Sequence, residues 1–315
     1  MEQIDFTVAI PTYNGGSRLR EILDRLRSQI NGESLCWEIS IVDNNSQDNT
    51  AKLVREYQAN WPDAYPLKYC FESQQGLAFA RQKAIDEARG ELVGFLDDDN
   101  LPDSNWVWAA YCFGKAHPKA GAYGGQIYGE FEVEPPPGFE RIQSFLAIKQ
   151  RGYQPHLYDP ERLSLPAGAG LVVRKQAWVE SVPRRLARTT RGGNDFEISI
   201  HMHDAGWEIW YNPEMKIAHK IPKSRLEKEY LMSLSRTVGL CVCELRTLHA
   251  KPGQKPIIFA KIMLGSLRRS LRHFLRYRDR VRTDVVAACE MEFFLSSFAS
   301  PLYYLKNSLG SRSLK

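Results

Sequence analysis

Strand-like and helix-like segments alternate through the first hundred residues of this 315-residue chain, and this alternation constrains the fold more than any other feature. The strand-like runs are short and apolar; they are 6–10, 37–42, 67–71 and 91–96. The segments between them carry apolar residues at three- and four-residue spacing, which is typical of helices; they are 17–30, 46–59 and 76–89. We therefore predict an α/β fold with a mostly parallel sheet and helices on both faces.

Beyond residue 100 the regular alternation gives way to a mixture of elements. We predict helices over 103–117 and 195–205, and strands over 121–128, 165–174 and 209–219. The proline-rich stretch 134–138 is predicted to be an extended loop, because proline lacks an amide donor. From about residue 226 the pattern is helical to the end of the chain.

Polar groups follow three of the predicted strands at the point where each strand ends. They are Pro11 to Asn14 after the first strand, Asp43 to Asn45 after the second and Asp97 to Asp99 after the fourth. In sheets of this kind ligands bind beyond the carboxyl ends of the strands. We therefore expect these groups to converge on one edge of the sheet and to form a binding site there.

The run Asp97, Asp98 and Asp99 is the strongest chemical signal in the chain. Three consecutive carboxylates at the end of a buried strand are electrostatically unfavourable unless something positive lies among them. Mg²⁺ and Mn²⁺ prefer oxygen ligands and bind one or two carboxylates together with substrate phosphates. The run therefore predicts a divalent metal site. The alternative is a solvated acidic turn in which Asp99 or Asp103 caps the next helix.

Asp43 and Arg81 each have a functional and a structural interpretation. Asp43 could accept hydrogen bonds from a ribose or a base edge, or it could form a plain helix-entry turn. The first strand–helix turn does not read G-x-G-x-x-G, which removes the main support for NAD binding. Arg81 could face the acidic edge, or it could lie on a helix surface.

Asp195 and His219 leave similar alternatives open. Asp195 follows the glycine pair at 192–193 and is either a general base for a hydroxyl or a helix N-cap. His219 is a metal ligand, a group that neutralises a diphosphate, or an ordinary loop histidine. His201 and His203 are two residues apart on a predicted helix, so they face different ways, and we expect both to be solvated.

Taken in order, these motifs resemble those of family 2 glycosyltransferases, which are inverting, nucleotide-sugar-dependent enzymes of GT-A fold. The resemblance covers about residues 6–235. It rests on seven segments: Val8–Asn14, Ile41–Ser46, Gly76 to Arg81, Phe95–Asn100, Ala167–Leu171 with Arg174, Gly192–Asp195, and Gly206 to His219. The resemblance implies a Rossmann-like nucleotide-binding mixed sheet flanked by helices, with a C-terminal basic helical extension.

The same resemblance implies a domain organisation and residue roles. The GT-A catalytic domain would cover 1–235, with a nucleotide-binding half at 1–100 and an acceptor and sugar half at 101–235, and a basic amphipathic helical tail would cover 236–315. The implied donor-binding residues are Pro11, Thr12, Asn14, Asp43, Gly76, Arg81, Asp97, Asp98, Gly168 and Ala169. Asp99 would bind Mn²⁺ or Mg²⁺ directly, with Asp97 and His219 beside it. Asp195 would be the catalytic base, whereas the acid that usually precedes it is the neutral Asn194.

The implied reaction moves a sugar from a nucleotide-diphosphate donor, with a UDP-sugar favoured, to a hydroxyl of a glycan or lipid-linked acceptor in polysaccharide biosynthesis. The segment from Tyr123 through the proline-rich loop to the tail also resembles hormogonium-polysaccharide glycosyltransferases. One alternative is a membrane-associated pseudoenzyme or scaffold that binds a nucleotide sugar without turnover, which the neutral Asn194 favours. Another is an Asp-dependent phosphotransferase, but such enzymes carry their acidic motif after the first strand.

Charge is divided unevenly along the chain. Residues 1–215 carry 22 Lys/Arg and 30 Asp/Glu, whereas residues 216–315 carry 20 and 7. The stretch 255–282 combines arginines with leucines at three- and four-residue steps, so it could lie on an anionic membrane surface. Alternatively its leucines pack on the catalytic domain and its arginines face water. We expect no nucleic-acid partner, because no recognised motif accompanies the basic stretch.

The remaining features indicate a cytoplasmic protein, peripheral on the inner face of the plasma membrane if the tail binds lipid. The six cysteines form no Cys-x-x-Cys pair, which argues against structural zinc and is typical of a reducing compartment. The N-terminus lacks the basic region of a signal peptide. No window of about 18 uninterrupted apolar residues is present, so the sequence predicts no ordinary transmembrane helix.

Overall fold

The computed structural model describes residues 4–31, 35–186 and 193–310. For residues 309 and 310 it describes the backbone only. Within them, nine strands form one sheet: β1 (Phe6–Thr12), β2 (Trp37–Asp43), β3 (Leu67–Phe71), β4 (Leu92–Phe95), β5 (Asn100–Pro102), β6 (Ala120–Phe131), β7 (His156–Leu157), β8 (Val172–Arg174) and β9 (Glu208–Ile221). The helices are α1 (Leu19–Arg27), α2 (Thr50–Gln58), α3 (Leu77–Glu87), α4 (Trp106–Ala116), α5 (Lys175–Ser181), α6 (Asn194–Asp204), α7 (Lys228–Arg246), α8 (Lys255–Tyr277), α9 (Arg280–Thr283) and α10 (Val285–Gly310).

The sheet is parallel on one side and antiparallel on the other. Its strand order is β3-β2-β1-β4-β8-β6-β9-β5, with β7 paired to β9. The first four strands pair in parallel, as the alternation of strands and helices predicts. From β8 onward the pairings with β4, β6 and β9 are antiparallel where their registers are given. The sheet is therefore mixed, and the expectation of a mostly parallel sheet holds only for residues before 100.

Compact units divide the chain differently from the predicted boundary at residue 235. One unit contains 1–130 and 147–220, and the second contains 131–146 and 221–315. The first unit, which we call the sheet unit, is built on the nine strands. The second unit, which we call the helical unit, contains α7 to α10 and the proline-rich segment.

Two predicted elements differ from the observed ones. The predicted strand 165–174 is a strand only at Val172–Arg174, and Leu165–Leu171 forms a loop in which Gly170 has a φ of +70°. The helical pattern predicted after residue 226 is divided into the four helices α7 to α10 by three breaks. Pro252 and Gly253 lie in the first break, and Arg278 adopts a φ of +45° after α8, which an α-helix cannot continue through.

The core of the sheet unit follows from the apolar spacing in the sequence. Strands β1 and β2 are buried along their whole length, and α3 packs against both of them. The apolar side chains of α1 are buried in the same core. Gly94 on β4 allows close packing, because a Cβ there would lie 2.7 Å from the Trp106 ring and 2.8 Å from the Phe6 ring. The packed strands hold their carboxyl ends at a fixed spacing.

One carboxylate is fully buried at the opposite, amino-terminal side of these strands. Glu38 on β2 accepts hydrogen bonds from the Thr7 hydroxyl at 3.0 Å and from the Arg89 amide at 2.8 Å. Its other oxygen lies 2.7 Å from both Arg89 Nε and Lys68 Nζ. Burial alone would raise the pKa of Glu38, but the hydrogen bonds from Lys68 and Arg89 outweigh it and lower the pKa.

We expect Glu38→Gln to lower the free energy of unfolding by about 2 kcal/mol at pH 7, because charge-assisted hydrogen bonds are lost from a buried site. A carboxylate with a depressed pKa stabilises the fold above its unfolded pKa, and that stability is lost as the pH falls through the folded value. The difference in melting temperature between the wild type and the variant should therefore shrink below pH 4.5, the ordinary value for this group. Thermal melts between pH 3 and 7 measure it, and a difference that is constant across this range would contradict the assignment.

The helical unit is organised around its longest helix. α10 packs against both α7 and α8. Arg141 from the proline-rich segment contacts the Tyr277 hydroxyl and lies 3.5 Å from a carboxylate oxygen of Glu290. Within the described residues, Val285–Ser308 is long and apolar enough to cross a membrane, with 44% of its most apolar window buried inside the structure. The sequence criterion of uninterrupted apolar residues did not find this segment, and a core helix of a soluble protein meets the same length and composition criteria.

Candidate active site

Asp43 is held rigidly at the end of β2. One carboxylate oxygen accepts a hydrogen bond from the Ser46 amide at 2.9 Å, and the other accepts one from the Tyr69 hydroxyl at 2.7 Å. Burial and the neighbouring Asp43 carboxylate raise the pKa of Tyr69 to about 12, so the phenol remains a donor to Asp43 at neutral pH. Asp43 as a whole residue is 2% exposed, and these hydrogen bonds fix its carboxylate without a ligand.

The turn after β1 is joined to the turn after β2. Pro11 and Thr12 are buried and lie in register with Val42 and Asp43. Asn14 adopts a φ of +49°, its amide donates to Ser46 Oγ at 2.9 Å, and its side-chain oxygen accepts from the Gln47 amide at 2.8 Å. The structure therefore brings Pro11, Thr12, Asn14 and Asp43 together at one edge, as predicted from the strand ends.

Asn44 extends this arrangement to the start of α3. Its side-chain oxygen accepts a hydrogen bond from the Gly76 amide at 2.6 Å, and its amide group donates to the Gln74 carbonyl at 2.8 Å. Gly76 has a φ of +139°, a backbone conformation that residues other than glycine rarely adopt. Gly76 thus lies beside the Asp43 turn and directs α3 toward the acidic run.

The three carboxylates of the acidic run have three different partners. Asp98 accepts hydrogen bonds from the Thr12 hydroxyl at 2.6 Å and from Arg18 at 2.7 and 2.9 Å. Asp97 lies 3.9 Å from the Arg81 guanidinium. The Asp99 carboxylate lies 3.4 Å from His219 Nε2. The run is therefore not a loose solvated turn, because each carboxylate contacts a side chain from a different part of the sheet unit.

His219 reaches Asp99 through strand pairing. Asn100 on β5 lies opposite His219 on β9 in an antiparallel register, so the residue before Asn100 comes beside the imidazole. The buried Asn100 side chain also donates to Asp99 at 3.0 Å and accepts from the Asp97 amide at 3.2 Å. Asn100 thereby fixes the turn that carries the acids.

These donors fit a divalent cation that is shared with a ligand. Desolvation, helped by Asp99, raises the pKa of Asp97, whereas Arg81 opposes that shift. A carboxylate with a raised pKa is one that a bound cation would return to its ionised form. In the part of the chain that the structure describes, no three His, Cys, Asp or Glu side chains are arranged to hold a metal by themselves. Asp99 and His219 supply two donors, which suits Mg²⁺ or Mn²⁺ held jointly by protein and phosphate.

Arg81 links the acidic run to the 165–171 loop. Its side chain is 3% exposed, and its guanidinium lies 5.6 Å from the Phe95 ring centroid. Among the residues that the structure describes, none is a hydrogen-bond partner of its Nε. A Cβ on Gly168 would lie 2.3 Å from Arg81 Nη2. Arg81 is therefore not a surface arginine. It is a buried cation that depends on the absence of a side chain at residue 168.

Asp195 lies on the other side of the same loop. Its carboxylate accepts a hydrogen bond from the Gly168 amide at 2.7 Å, and it lies in the first turn of α6, whose N-cap is Gly193. Asp195 is therefore not an N-cap, which removes the structural alternative left open by the sequence. Gly192 lies outside the described residues. Ala169 is buried in a small apolar cluster beside this loop.

Two neighbours of Asp195 modify its surroundings. Asn194 is 2% exposed, and its side-chain oxygen has no hydrogen-bond partner within the described part of the chain. The Lys149 ammonium donates to the Leu165 carbonyl at 2.8 Å and lies 4.9 Å from the Phe196 ring centroid. Burial lowers the pKa of Lys149 to about 8, although the Asp195 carboxylate opposes that shift. The site thus contains a polar acceptor and a desolvated cation beside Asp195.

The two helical histidines differ from each other. His203 is exposed, as predicted. The side chain of His201 is only 16% exposed and lies 3.8 Å from the buried Glu197 carboxylate, so the prediction that both are solvated is wrong for His201. The i, i+4 spacing of Glu197 and His201 was the available signal.

Sequence reasoning missed four residues that organise this edge: Arg18, Tyr69, Asn100 and Lys149. Asn44 was expected at the edge without a specific role. Asn100 stood inside a quoted motif, and its position after a buried strand was a usable signal. Arg18, Tyr69 and Lys149 reach the site from elsewhere in the chain. Only the folded arrangement brings them in.

The mixed sheet, the acidic run at its edge and the carboxylate across a glycine-containing loop are arranged as expected for a GT-A fold, and solved structures identify the fold as GT-A. A solved mannosyltransferase from Pyrobaculum calidifontis, in complex with GDP-Man and Mn²⁺, matches this fold with a TM-score of 0.60 and 18% identity, over 94% of this chain and 88% of that one. S. aureus TarS 1–349 matches with a TM-score of 0.55 and 16% identity, over 96% and 92%. The predicted α/β GT-A fold with C-terminal helices is confirmed.

The family follows from the sequence match. The protein-family model for glycosyl transferase family 2 matches residues 7–170, which is slightly more than half of the chain. The chain belongs to this family. Glycosyltransferase AglE from Haloferax volcanii is 32% identical over 101 residues, which are 32% of this chain and 32% of that protein. The chain thus spans about a third of the length of this curated relative.

Proposed function

We propose that the chain is an inverting glycosyltransferase that takes a sugar from a nucleotide-diphosphate donor. The observation that carries the proposal is the arrangement of Asp97, Arg81, Gly168 and Asp195. A buried cation beside the acidic run lies against the same loop that orients a carboxylate. This arrangement offers an anion site and a proton acceptor on two sides of one short loop.

The donor would lie along the edge formed by β1, β2 and β4. Asp43 and the turn at Pro11, Thr12 and Asn14 would hold the nucleoside, with Gly76 and Arg81 nearer the diphosphate and Gly168 and Ala169 beside the sugar. Arg81 supports this placement, because its Nε, which has no partner among the described residues, can still donate to an anionic oxygen. A UDP-sugar is the favoured donor, and TarS has also been solved with UDP-GlcNAc.

Asp195 would act as the general base. It would remove the proton from an acceptor hydroxyl as the hydroxyl oxygen bonds to the anomeric carbon, while the bond from that carbon to the diphosphate breaks. One displacement from the opposite face inverts the anomeric configuration, and no covalent enzyme intermediate is needed. The hydrogen bond from the Gly168 amide orients the carboxylate for this step.

Asp99 and His219, with Asp97 nearby, would hold Mn²⁺ or Mg²⁺ together with the donor's phosphates. The cation would supply positive charge that stabilises the leaving diphosphate. Asp98 supports this role indirectly, because its bonds to Thr12 and Arg18 fix the turn that carries Asp99. Mn²⁺ is present in the complex of the Pyrobaculum mannosyltransferase.

We propose a hydroxyl of a glycan or lipid-linked molecule as the acceptor, and polysaccharide biosynthesis as the setting. The narrower likeness to hormogonium-polysaccharide enzymes stays a prediction from the sequence. We also propose a cytoplasmic chain, peripheral on the inner face of the plasma membrane through 255–282, with no nucleic-acid partner. The catalytic domain at 1–235, its two halves and the tail at 236–315 stay predictions of functional organisation.

A non-catalytic nucleotide-sugar-binding scaffold is the second candidate. The neutral Asn194 beside Asp195 is the observation in its favour. A phosphotransferase is less well supported, since each carboxylate of the acidic run already has a side-chain partner and none stands alone as a nucleophile.

A thermal-shift panel tests the donor site directly. UDP, GDP, CDP and dTDP are each tested with Mn²⁺, with Mg²⁺ or with a chelator. We expect one nucleotide to raise the melting temperature by several degrees, since a ligand at about 100 times its dissociation constant adds about 2.7 kcal/mol. The shift should disappear with the chelator. No shift with any nucleotide would contradict the proposed donor site, and a shift unaffected by the chelator would contradict the metal site.

A further inference from the structure

Helix α8 has an inward face that is small and polar. Its buried residues are Ile262, Ser266, Ser270 and His273, which recur at three- and four-residue spacing. The helix packs against α10 within the helical unit, and His273 Nε2 lies 2.9 Å from the Ala287 carbonyl oxygen. Helix α8 therefore packs through one face only, and most of its large apolar side chains lie outside that face.

Those large apolar side chains form an exposed row on α8. The row, which we call the apolar row, consists of Ile257 (59% exposed), Leu264 (68%), Leu267 (44%), Leu271 (56%), Phe274 (55%) and Leu275 (72%). At 1.5 Å per residue it extends for about 27 Å along the helix. A contiguous apolar surface of this kind on a soluble face marks an interaction site.

A basic row lies directly beside the apolar row. It consists of Lys261, Arg268, Arg272 and Arg276, all of them exposed. At 100° per residue these positions project to one flank of the apolar row and not among its members. Arg269 is different, because its Nη2 donates to Ser266 Oγ at 3.1 Å and its guanidinium lies 5.5 Å from the Phe294 ring centroid. Arg269 belongs to the packing of the helix.

We infer that the apolar and basic rows of α8 bind an anionic lipid bilayer, with the apolar row in the acyl boundary and the basic row at the headgroups. Charge complementarity selects this partner, because the row beside the apolar side chains is basic throughout. A second copy of the chain would bring like charges together, and a nucleic acid would leave the apolar row in water. An interfacial helix requires the two adjacent faces that α8 exposes.

This inference assigns a specific surface to the peripheral membrane location given under the proposed function. It rests on that proposed location and not on the proposed sugar transfer. The occupied face is defined by side chains whose exposure does not depend on whether sugar transfer occurs. The lipid chemistry is an anionic headgroup of any kind, so phosphatidylglycerol serves as the probe.

Flotation of the full chain with vesicles tests the inference. We expect the wild type to co-float with vesicles of phosphatidylcholine containing phosphatidylglycerol, and not with pure phosphatidylcholine. Replacing Arg268, Arg272 and Arg276 by Gln should weaken partitioning about 100-fold, since each basic residue near an anionic surface contributes roughly fivefold. Leu264→Gln with Leu271→Gln should weaken partitioning by at least tenfold while leaving the charge unchanged.

A control variant carries the same loss of charge elsewhere. Replacing the exposed Arg20, Lys52 and Arg162 by Gln lowers the net charge equally and should leave partitioning within about threefold of the wild type. All substituted positions are exposed, so matching melting temperatures are expected and confirm that each variant is folded. Heparin, a polyanion without an apolar phase, serves as a second control. We expect heparin binding to weaken in the arginine variant and to stay unchanged in the leucine variant, whereas vesicle binding should weaken in both.

Two results would overturn the inference. The first is a folded wild type that does not co-float with anionic vesicles, and the second is vesicle binding that survives both the arginine and the leucine substitutions. The nucleotide thermal shift, measured on the same preparation, reports separately on the donor site. Vesicle binding without a nucleotide shift would therefore contradict the proposed function and not the membrane surface, and the reverse result would do the opposite.

Discussion

Replacing Asp195 by asparagine is expected to lower the rate of sugar transfer about 10³-fold while leaving nucleotide binding intact. The side-chain oxygen of asparagine can still accept the hydrogen bond that the Gly168 amide donates to Asp195 at 2.7 Å. The amide cannot take up a proton from an acceptor hydroxyl, so only the chemical step should suffer. Initial rates of nucleoside diphosphate release, together with nucleotide thermal shifts, measure both quantities.

The matched control for this variant is Ser199→Ala. Ser199 lies one turn further along α6 and its hydroxyl donates to the Asp195 backbone carbonyl at 2.8 Å, so the control alters the same turn without touching the carboxylate. We expect less than a fivefold change in rate. An Asp195→Asn protein with an unchanged rate would remove this residue from the base role, and one that also loses the nucleotide shift would indicate a structural role.

Replacing Gly168 by alanine is expected to lower the transfer rate by about 10², the largest effect we predict for a change outside the charged residues. A Cβ at this position would lie 2.3 Å from Arg81 Nη2 and 3.2 Å from its Cζ. Arg81 is not a flexible surface side chain that can move aside, because it is buried against the Phe95 ring. If the guanidinium shifts, Asp97 loses its contact with Arg81. If the loop shifts, Asp195 loses the hydrogen bond from the residue 168 amide.

This substitution also has a testable signature on the donor. Because we propose that Arg81 lies on the diphosphate side, we expect the nucleotide thermal shift to fall together with the rate, in contrast to Asp195→Asn. Gly253→Ala is the control, since a Cβ there meets nothing within 4 Å. Wild-type rate and nucleotide shift in the Gly168→Ala protein would show that Arg81 is not held by this contact.

The parallel half of the fold could be predicted because its information is local. β1 to β4 appear in the sequence as short apolar runs between helices with clear spacing, and the helices begin within a few residues of their predicted positions. The segment before β8 could not be predicted in this way. Its small residues resemble those of a strand, but Gly168 and Gly170 serve a loop whose shape is set by Arg81 and Ile217, far away in sequence.

The candidate site shows the same division. Asp43 and Asp97 to Asp99 could be placed at one edge because parallel strands end together. His219 was expected beside Asp99 from the family resemblance, but Arg18 and Tyr69 could not be assigned as partners, since they arrive from separate elements. For Asp195, the capping role is excluded by the position of Gly193 at the N-cap, and the partner of the carboxylate is the Gly168 amide, which lies 27 residues away. The roles proposed for these residues in catalysis remain predictions for the experiments above.

Helix α8 has a consequence for handling the protein in solution. Most helices of soluble proteins hide their oily side chains, whereas α8 turns serine and histidine inward and leaves leucine outward. No other described part of the chain covers this outward side, so we expect association of the protein in plain buffer to decrease when surfactant is added. Detergent or lipid nanodiscs would then serve as a substitute solvent for one helix, while the edge proposed to bind the nucleotide remains in ordinary aqueous buffer.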